Sequence, residues 1–226
     1  NPALYPNLSY DPLRDFVPLT NAVVSPIVVV VHPSLPVASI RELIAYAKAN
    51  PGKLNYGSAG VGNTLHLAAE MFCLTTGTTM THVPYKGASQ ALTDLLGGSI
   101  QIMFDLPQTP LANIQAGKLR ALAVTGDTRI DVMPNVPTMA EAGLPEYSFG
   151  TWIGLAAPAR TPPAVVARLH REMTRALAQP DVKEAFAKQV MYVKASESPD
   201  AYSAFIKGET DRLRNLVQKA SIKPEQ

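Results

Sequence analysis

The sequence predicts an α/β fold built from parallel β-sheets with helices on both faces. Short apolar segments alternate with amphipathic helical segments through most of the 226 residues, which is typical of βαβ units. Apolar residues make up 46% of the chain and charged residues only 17%, so the chain has enough apolar surface for a sizeable core and too few charges for a disordered protein. The length fits one large domain or two small ones.

Helices are predicted from their caps, their apolar spacing and the glycines or prolines that end them. The first begins at Ser39-Ile40-Arg41-Glu42, a capping box, and stops at Asn50-Pro51-Gly52. Four more are predicted at about 64–76, 88–96, 109–116 and 137–143. Three further helices begin at Pro162-Pro163, at Pro180 and at Ser198-Pro199. Proline is favoured at a first helical position because its missing N–H costs nothing there.

Strands are predicted between these helices, at 27–31, 53–57, 80–83, 100–104, 119–124, 149–155 and 190–194. In sheets of this kind, ligands bind beyond the carboxyl ends of the strands. The turns that lead from a strand into a helix are therefore where function is expected.

Composition excludes several classes of protein. The 20 Lys and Arg nearly balance the 18 Asp and Glu and form no basic run, so a nucleic-acid partner is not predicted. The longest apolar run is 27–31, far short of the roughly 20 residues of a membrane span. Cys73 is the only cysteine, which excludes an intramolecular disulfide and a cysteine-rich zinc site.

One strand-to-helix turn carries most of the chemical signal. Three glycines lie within six residues, at Gly57, Gly60 and Gly62, just before the predicted helix at 64–76. Glycines let a ligand approach the main chain, and a helix start offers unpaired N–H groups at the positive end of its dipole. With donors on Ser58, Asn63 and Thr64, the turn predicts an anion site. The alternative is a plain connecting loop capped by Asn63 or Thr64.

Other anion-binding and catalytic loops do not fit this turn. A dinucleotide fingerprint needs a third glycine where Leu65 stands, and a P-loop needs the sequence G-K-[ST]. In a nucleophile elbow the first glycine would lie two residues before the serine, whereas Gly57 directly precedes Ser58. No cofactor is therefore predicted.

The four histidines show no metal-ligand spacing. His66 and Cys73 are seven residues apart on one predicted helix, where packing or capping is the favoured interpretation because a zinc site needs three or four ligands. Asp105 follows the buried segment 100–104 and precedes Leu106-Pro107. Its carboxylate is expected either to cap the next helix or to receive a ligand hydroxyl, amide, ammonium or bridging water.

Several motifs resemble one family over essentially the whole chain, in order and with the family's spacing. They are Gly57-Ser58-Ala59-Gly60 with Gly62, Thr64 and His66; His82-Val83-Pro84-Tyr85-Lys86-Gly87; Asp94-Leu95-Leu96-Gly97-Gly98; Met103-Phe104-Asp105; Val136-Pro137-Thr138; and Trp152 with Ala157-Pro158. The sequence is similar to the solute-binding receptors of tripartite tricarboxylate transporters, the Bug family.

The resemblance implies a type II periplasmic binding protein, with two α/β domains and a ligand cleft. Residues 27–150 match the second domain, and residues 1–26 with 151–226 match the first. The implied location is the periplasm. The implied partners are a small carboxylate, such as a di- or tricarboxylate, an amino acid or an aromatic acid, and the membrane subunits of the transporter. No enzymatic activity is implied.

The family's loop holds a ligand carboxylate through backbone amides and hydroxyls. Carried over to this sequence, it points to Ser58, Ala59, Gly60, Gly62 and Thr64, beside the donor Asn63 already noted. Asp105 matches an acidic position that faces the cleft. Lys86 is expected to be a solvated surface lysine, although it would add positive potential.

The family begins with a strand, a glycine-rich loop and a helix that have no counterpart here, so the first domain is expected to be incomplete. Without that sheet, apolar side chains of the C-terminal helices are expected to face water: Val165, Val166, Leu169, Phe186, Phe205, Ile206 and Leu216. Two alternatives to a transport receptor stay open. One is a degenerate receptor that acts as an interaction or sensor module; the other is a hydrolase that uses Ser58.

Overall fold

The computed structural model describes Leu4 and residues 8–223, so residues 1–3, 5–7 and 224–226 of the predicted first domain lie outside the described residues. The chain divides into two compact units. The first takes in the described residues up to Ser25 together with Thr151–Gln218, and the second takes in Pro26–Gly150 together with the described residues from Lys219 onward.

The helices and strands follow one another in the order β1 (Phe16–Pro26), β2 (Val28–Val31), α1 (Ile40–Ala49), β3 (Asn55–Ser58), α2 (Thr64–Thr76), β4 (Thr81–Pro84), α3 (Ala88–Leu96), β5 (Ile102–Asp105), α4 (Leu111–Gln115), β6 (Arg120–Val124), β7 (Gly150–Pro158), α5 (Pro163–Leu177), α6 (Pro180–Ala187), β8 (Tyr192–Val193) and α7 (Pro199–Lys219).

The second unit contains a five-stranded sheet in the order β4-β3-β5-β2-β6. Strand β3 runs parallel to β4 and β5, whereas β2 runs antiparallel to β5 and β6. The prediction of parallel sheets is therefore wrong for β2, which is antiparallel to both of its neighbours. Its apolar run marks a strand buried on both faces, and all four residues of Val28–Val31 are buried, but such a run does not encode direction.

Helices α1 and α2 begin where their caps predict. Ser39 caps α1 by accepting a hydrogen bond from the Glu42 N–H at 3.2 Å, and the Glu42 carboxylate accepts from the Ala38 N–H at 2.6 Å. Helix α2 ends at Thr76 and is capped by Gly77, which adopts a left-handed φ of 63°. Phe72 of α2 packs against Phe104 of β5, with ring centroids 5.5 Å apart, and so fixes the helix on the sheet.

The first unit contains a three-stranded sheet in the order β7-β1-β8, with β1 and β8 antiparallel. Leu19 of β1, Ala157 of β7 and Val166 of α5 form one buried cluster, and Val23 with Leu177 belongs to another that α6 extends. Strand β1 was not among the predicted strands, because Pro18 and Asn21 interrupt a run otherwise rich in β-branched and apolar residues.

The helix predicted at 137–143 is wrong, since this segment forms turns. Met139 donates its N–H to the carbonyl of Val124, and the Val124 N–H donates to the carbonyl of Pro137, so this part of the chain lies beside β6. Only three residues remain between Met139 and the left-handed Gly143, at φ 90°, which is too few for a helix.

The expected exposure of the C-terminal helices is confirmed only in part. Val165 is 45% exposed and Phe205 is 40% exposed, whereas Val166 and Leu216 are buried, so the expectation is wrong for those two. Val166 is covered because the sheet residues Leu19 and Ala157 pack on it. Leu169, Phe186 and Ile206 are half-buried. None of the helices in the described ranges 8–223 is both long and apolar enough to span a membrane.

Candidate anion-binding loop

The glycine-rich turn joins β3, which ends at Ser58, to α2, which begins at Thr64. Gly60 and Gly62 adopt φ values of 117° and 73°, a region that side chains disfavour, so glycine is required at both positions. Asn63 caps α2 by accepting a hydrogen bond from the His66 N–H at 2.9 Å. Asn63 therefore does cap the helix, as the alternative interpretation of the turn expected. This hydrogen bond uses the side-chain oxygen of Asn63, Oδ1.

Of the seven N–H groups at 59–65, three donate hydrogen bonds within the loop and the start of α2. The Gly60 N–H donates to Ser58 Oγ at 3.2 Å, the Gly62 N–H to His66 Nδ1 at 2.9 Å, and the Asn63 N–H to the Gly60 carbonyl at 3.4 Å. Within the described part of the chain, no hydrogen bond is made by four N–H groups, those of Ala59, Val61, Thr64 and Leu65. The described loop therefore leaves four donors unused, two in the first turn of the 13-residue helix and two in the loop just before it.

The loop side chains differ in their access to solvent. Thr64 is exposed, and Ala59, Gly60, Gly62 and Asn63 are half-buried. Ser58 is completely buried, and its hydroxyl is committed to the Gly60 carbonyl at 3.0 Å and to His82 Nε2 at 2.7 Å. Ser58 therefore holds the loop from inside, and Thr64 is the hydroxyl available at the surface.

A stack of aromatic rings lies beneath the loop. The His66 and His82 rings are 3.8 Å apart between centroids and 7° from parallel, and Tyr56 stacks on His82 at 5.0 Å. Burial, with a smaller contribution from His66, lowers the pKa of His82 to about 4. His82 is therefore neutral at neutral pH and is a weak base.

Glu70 lies at the edge of this stack. Its carboxylate accepts a hydrogen bond from the Tyr56 hydroxyl, and its Oε1 lies 3.7 Å from His66 Nε2. Burial alone would raise the pKa of Glu70, but His66 and the Tyr56 hydroxyl outweigh it and the pKa is lowered. Burial and the nearby Glu70 raise the pKa of Tyr56, so the phenol stays protonated.

Asp105 is the last residue of β5 and is 1% exposed. Its Oδ1 accepts a hydrogen bond from the Leu106 N–H at 2.7 Å, whereas its buried Oδ2 has no partner among the residues described. Burial raises the pKa of Asp105 to about 7. The expectation that Asp105 caps the next helix is wrong, because α4 begins only after Pro110.

The sheet brings Ser58 and Asp105 to one edge. Strands β3 and β5 are parallel neighbours, with Gly57 opposite Met103, and each ends at its polar residue. Lys86 is exposed, as expected. The two histidines were not predicted to meet, although the parallel strands predicted at 53–57 and 80–83 would have placed His82 near Tyr56. Over residues 8–223, no three His, Cys, Asp or Glu side chains cluster as a metal site would require.

Comparison with known sequences identifies relatives along the whole chain. The sequence model of TctC, the tripartite tricarboxylate transporter family receptor, matches residues 1–222. A UPF0065 protein in the tcbD-tcbE intergenic region of Pseudomonas sp. strain P51 is 40% identical over 223 residues, covering 98% of this chain and 66% of that protein. Protein BugT of Bordetella pertussis is 36% identical over 221 residues, covering 98% of this chain and 68% of that protein.

Solved structures share the fold. R. palustris Rpa4515 with adipate superposes with a TM-score of 0.83 at 32% identity, over 98% of this chain and 74% of that one. MatC (Rpa3494) from Rhodopseudomonas palustris with bound malate gives a TM-score of 0.77 at 30% identity, over 95% of this chain and 74% of that one. This chain spans about two thirds of the length of the curated relatives it matches.

Proposed function

Because the chain belongs to the tripartite tricarboxylate transporter receptor family, we propose that it is part of a periplasmic receptor that captures a small carboxylate and delivers it to the membrane subunits of such a transporter. Adipate and malate, the ligands of two structural neighbours, make a dicarboxylate the first choice of ligand. We assign residues 1–26 with 151–226, and residues 27–150, as the receptor's two domains.

The observation that carries the proposal is the set of N–H groups, at Ala59, Val61, Thr64 and Leu65, that find no hydrogen-bond partner in the described part of the chain. A carboxylate can accept from several of them at once, and each hydrogen bond to a charged group is worth about 1.5–3 kcal/mol. The Thr64 hydroxyl and the Asn63 side-chain NH₂ add donors, while Ser58, Gly60 and Gly62 shape the loop. Three such bonds would supply about 4.5–9 kcal/mol, from which the cost of association must be subtracted.

Asp105 is proposed as the second contact. Its Oδ2, which has no partner within residues 8–223, would accept a hydrogen bond from a ligand hydroxyl, amide or ammonium, directly or through a water. Since Asp105 is 1% exposed, this contact requires the carboxylate or the Leu106 backbone to shift when ligand binds.

The hydrogen bond between Ser58 and His82 is consistent with the hydrolase alternative, because two members of a catalytic triad are a serine and a histidine in hydrogen-bond contact. Two properties disfavour it. The Ser58 hydroxyl is buried and directed into the protein, and burial lowers the pKa of His82 to about 4, too low for an efficient base at neutral pH. Binding without bond cleavage therefore accounts better for this geometry.

The test is a titration of the ¹⁵N-labelled 226-residue chain with malate and, separately, adipate, followed by amide chemical shifts. The loop lies entirely in the second unit, so the titration reads the site directly. We expect the amides of Ala59, Val61, Thr64 and Leu65 to shift. A chain that binds neither probe would instead support the interaction-module alternative.

Asn63→Asp separates anion binding from helix capping. The carboxylate retains the hydrogen bond from the His66 N–H and suits the helix dipole, so stability should hold or rise. A second negative charge next to the ligand costs roughly 1–4 kcal/mol, so affinity should fall about tenfold or more. Asn63→Ser, a neutral cap that also lacks the side-chain NH₂, is the matched control and should bind more tightly than Asn63→Asp, since the two variants differ in the added charge. Equal binding by Asn63→Asp would contradict the proposed site.

A further inference from the structure

In the loop between β3 and α2, every second N–H group donates a hydrogen bond to a side chain of the protein. Gly60 donates to Ser58 Oγ and Gly62 donates to His66 Nδ1, whereas Ala59 and Val61 make no hydrogen bond among the described residues. Each inward amide belongs to a glycine in the left-handed region. Which amides remain free therefore depends on the two side-chain acceptors beneath the loop.

Those two acceptors are connected by stacked imidazole rings. Ser58 Oγ is hydrogen-bonded to His82 Nε2 at 2.7 Å, and the His82 ring lies flat on the His66 ring at 3.8 Å. A continuous series of contacts thus runs from Gly60 through Ser58, His82 and His66 to Gly62. His66 is only 4% exposed, so its effect on a ligand must pass through the loop.

The groups around His66 fix its ring. Because Nδ1 accepts from the Gly62 N–H, the neutral ring carries its proton on Nε2, which faces Glu70 Oε1 at 3.7 Å. Tyr56 orients Glu70 by its own hydrogen bond. Cys73, on the same helix, is buried, and burial raises its pKa to about 12, so it is a neutral thiol.

We propose that His66 and His82 are positioning residues for the anion loop. They hold the Gly60 and Gly62 amides inward, and so leave the Ala59 and Val61 amides free to receive a carboxylate. The ligand part of this inference rests on the proposed function; the arrangement of the loop is measurable without ligand. The essential atoms are one nitrogen of each ring, Nδ1 of His66 and Nε2 of His82.

His66 makes its hydrogen bond through Nδ1 and His82 through Nε2, so asparagine and glutamine substitutions at each position should have opposite effects and together test the proposal. An asparagine amide takes the place of Nδ1, and a glutamine amide takes the place of Nε2. His66→Asn should therefore keep the Gly62 hydrogen bond and His66→Gln should lose it, whereas His82→Gln should keep the bond to Ser58 and His82→Asn should lose it. Both substitutions at one position remove the ring stack equally, so its loss cancels in the comparison.

The first readout is amide hydrogen exchange in the ligand-free chain. We expect the Gly62 amide to exchange several-fold faster in His66→Gln than in His66→Asn, and the Gly60 amide faster in His82→Asn than in His82→Gln. Equal exchange within each pair would overturn the proposal, and this readout decides even if neither probe binds. His32→Asn, at a half-buried histidine elsewhere in the unit, controls for loss of an imidazole.

The second readout is the affinity for malate and for adipate. His66→Gln and His82→Asn should bind about three- to tenfold more weakly than their rescuing partners, the equivalent of one hydrogen bond. If the loop amides are released but both ligands bind with unchanged affinity, the rings do not position the site. If neither probe binds the unmodified chain, the proposed function fails independently of the exchange result.

Discussion

Asp105→Asn is predicted to change how the stability of the second unit depends on pH. The asparagine carbonyl can accept the hydrogen bond that Leu106 N–H now gives to Asp105 Oδ1 at 2.7 Å, and the side chain keeps its size. What the substitution removes is a carboxyl group that is 1% exposed and whose Oδ2 has no partner among the described residues. The comparison therefore isolates the cost of ionising a buried carboxyl.

The sign follows from the raised pKa. Burial raises the pKa of Asp105 to about 7 from the ordinary 3.8, so between these values the folded chain holds a proton that the unfolded chain has lost. The free energy of unfolding therefore falls as pH rises from about 4 to about 7, and the loss is complete above pH 7. At 1.36 kcal/mol per pKa unit, the upper limit of the effect is about 4 kcal/mol.

Urea denaturation at pH values from 4 to 8, followed by far-UV circular dichroism, measures this difference. The variant should gain stability relative to the unmodified chain as pH rises, apart from a constant cost of about 1–3 kcal/mol for its buried, unpaired NH₂. Fluorescence of Trp152, which lies in the first unit, reports that unit separately. Asp127→Asn removes an exposed carboxylate of the second unit and serves as the control. A stability difference that is the same at pH 4 and pH 8 would refute the reasoning.

Two further predictions concern packing. Gly57→Ala should lower the free energy of unfolding by about 1–3 kcal/mol, because the new methyl group would overlap the Ile100 side chain and lie 3.1 Å from Ala91 Cβ. Gly208→Ala should instead stabilise α7 by about 0.5–1 kcal/mol, because nothing lies within 4 Å of the added methyl group. Chemical denaturation of both variants checks the opposite signs. Ile153→Thr with Leu155→Thr should reduce self-association in sedimentation velocity without lowering the melting temperature, because these side chains are 57% and 38% exposed on an edge strand. An unmodified chain that stays monomeric at all concentrations would contradict this expectation.

Local signals predicted the helices around the loop closely. Helices α2 and α3 occupy the predicted ranges 64–76 and 88–96, because their ends depend on caps and glycines that the sequence displays. The segment 137–143 carries similar signals, yet its pairing beside β6 overrides them. The direction of β2 also depends on partners distant in sequence, which periodicity does not encode.

In the candidate site, too, local features were predictable from the sequence and contacts between distant segments were not. Glycine spacing located the loop, because a left-handed backbone at Gly60 and Gly62 is a property of the residues themselves. The contacts of Ser58 with His82, and of His82 with His66, were missed because they depend on the parallel register of β3 and β4 and on the packing of α2. Long-range pairing of this kind becomes visible only in the folded chain.

The loop donors that make no hydrogen bond among the described residues belong to the main chain, and this bears on how the proposed receptor would distinguish between ligands. Backbone N–H groups recognise a carboxylate whatever molecule carries it, so under the proposed function the loop at 59–65 would give affinity for the shared group and little discrimination between acids. Discrimination between acids would then come from side chains that contact the rest of the ligand. Asp105 is suited to this role, because its Oδ2 has no partner in the part of the chain that the structure describes. A ligand that brings a hydrogen-bond donor would therefore bind more tightly than one that does not. A substitution at Asp105 would then change which acid binds, while the hydrogen bonds that shape the loop at 59–65 stay the same.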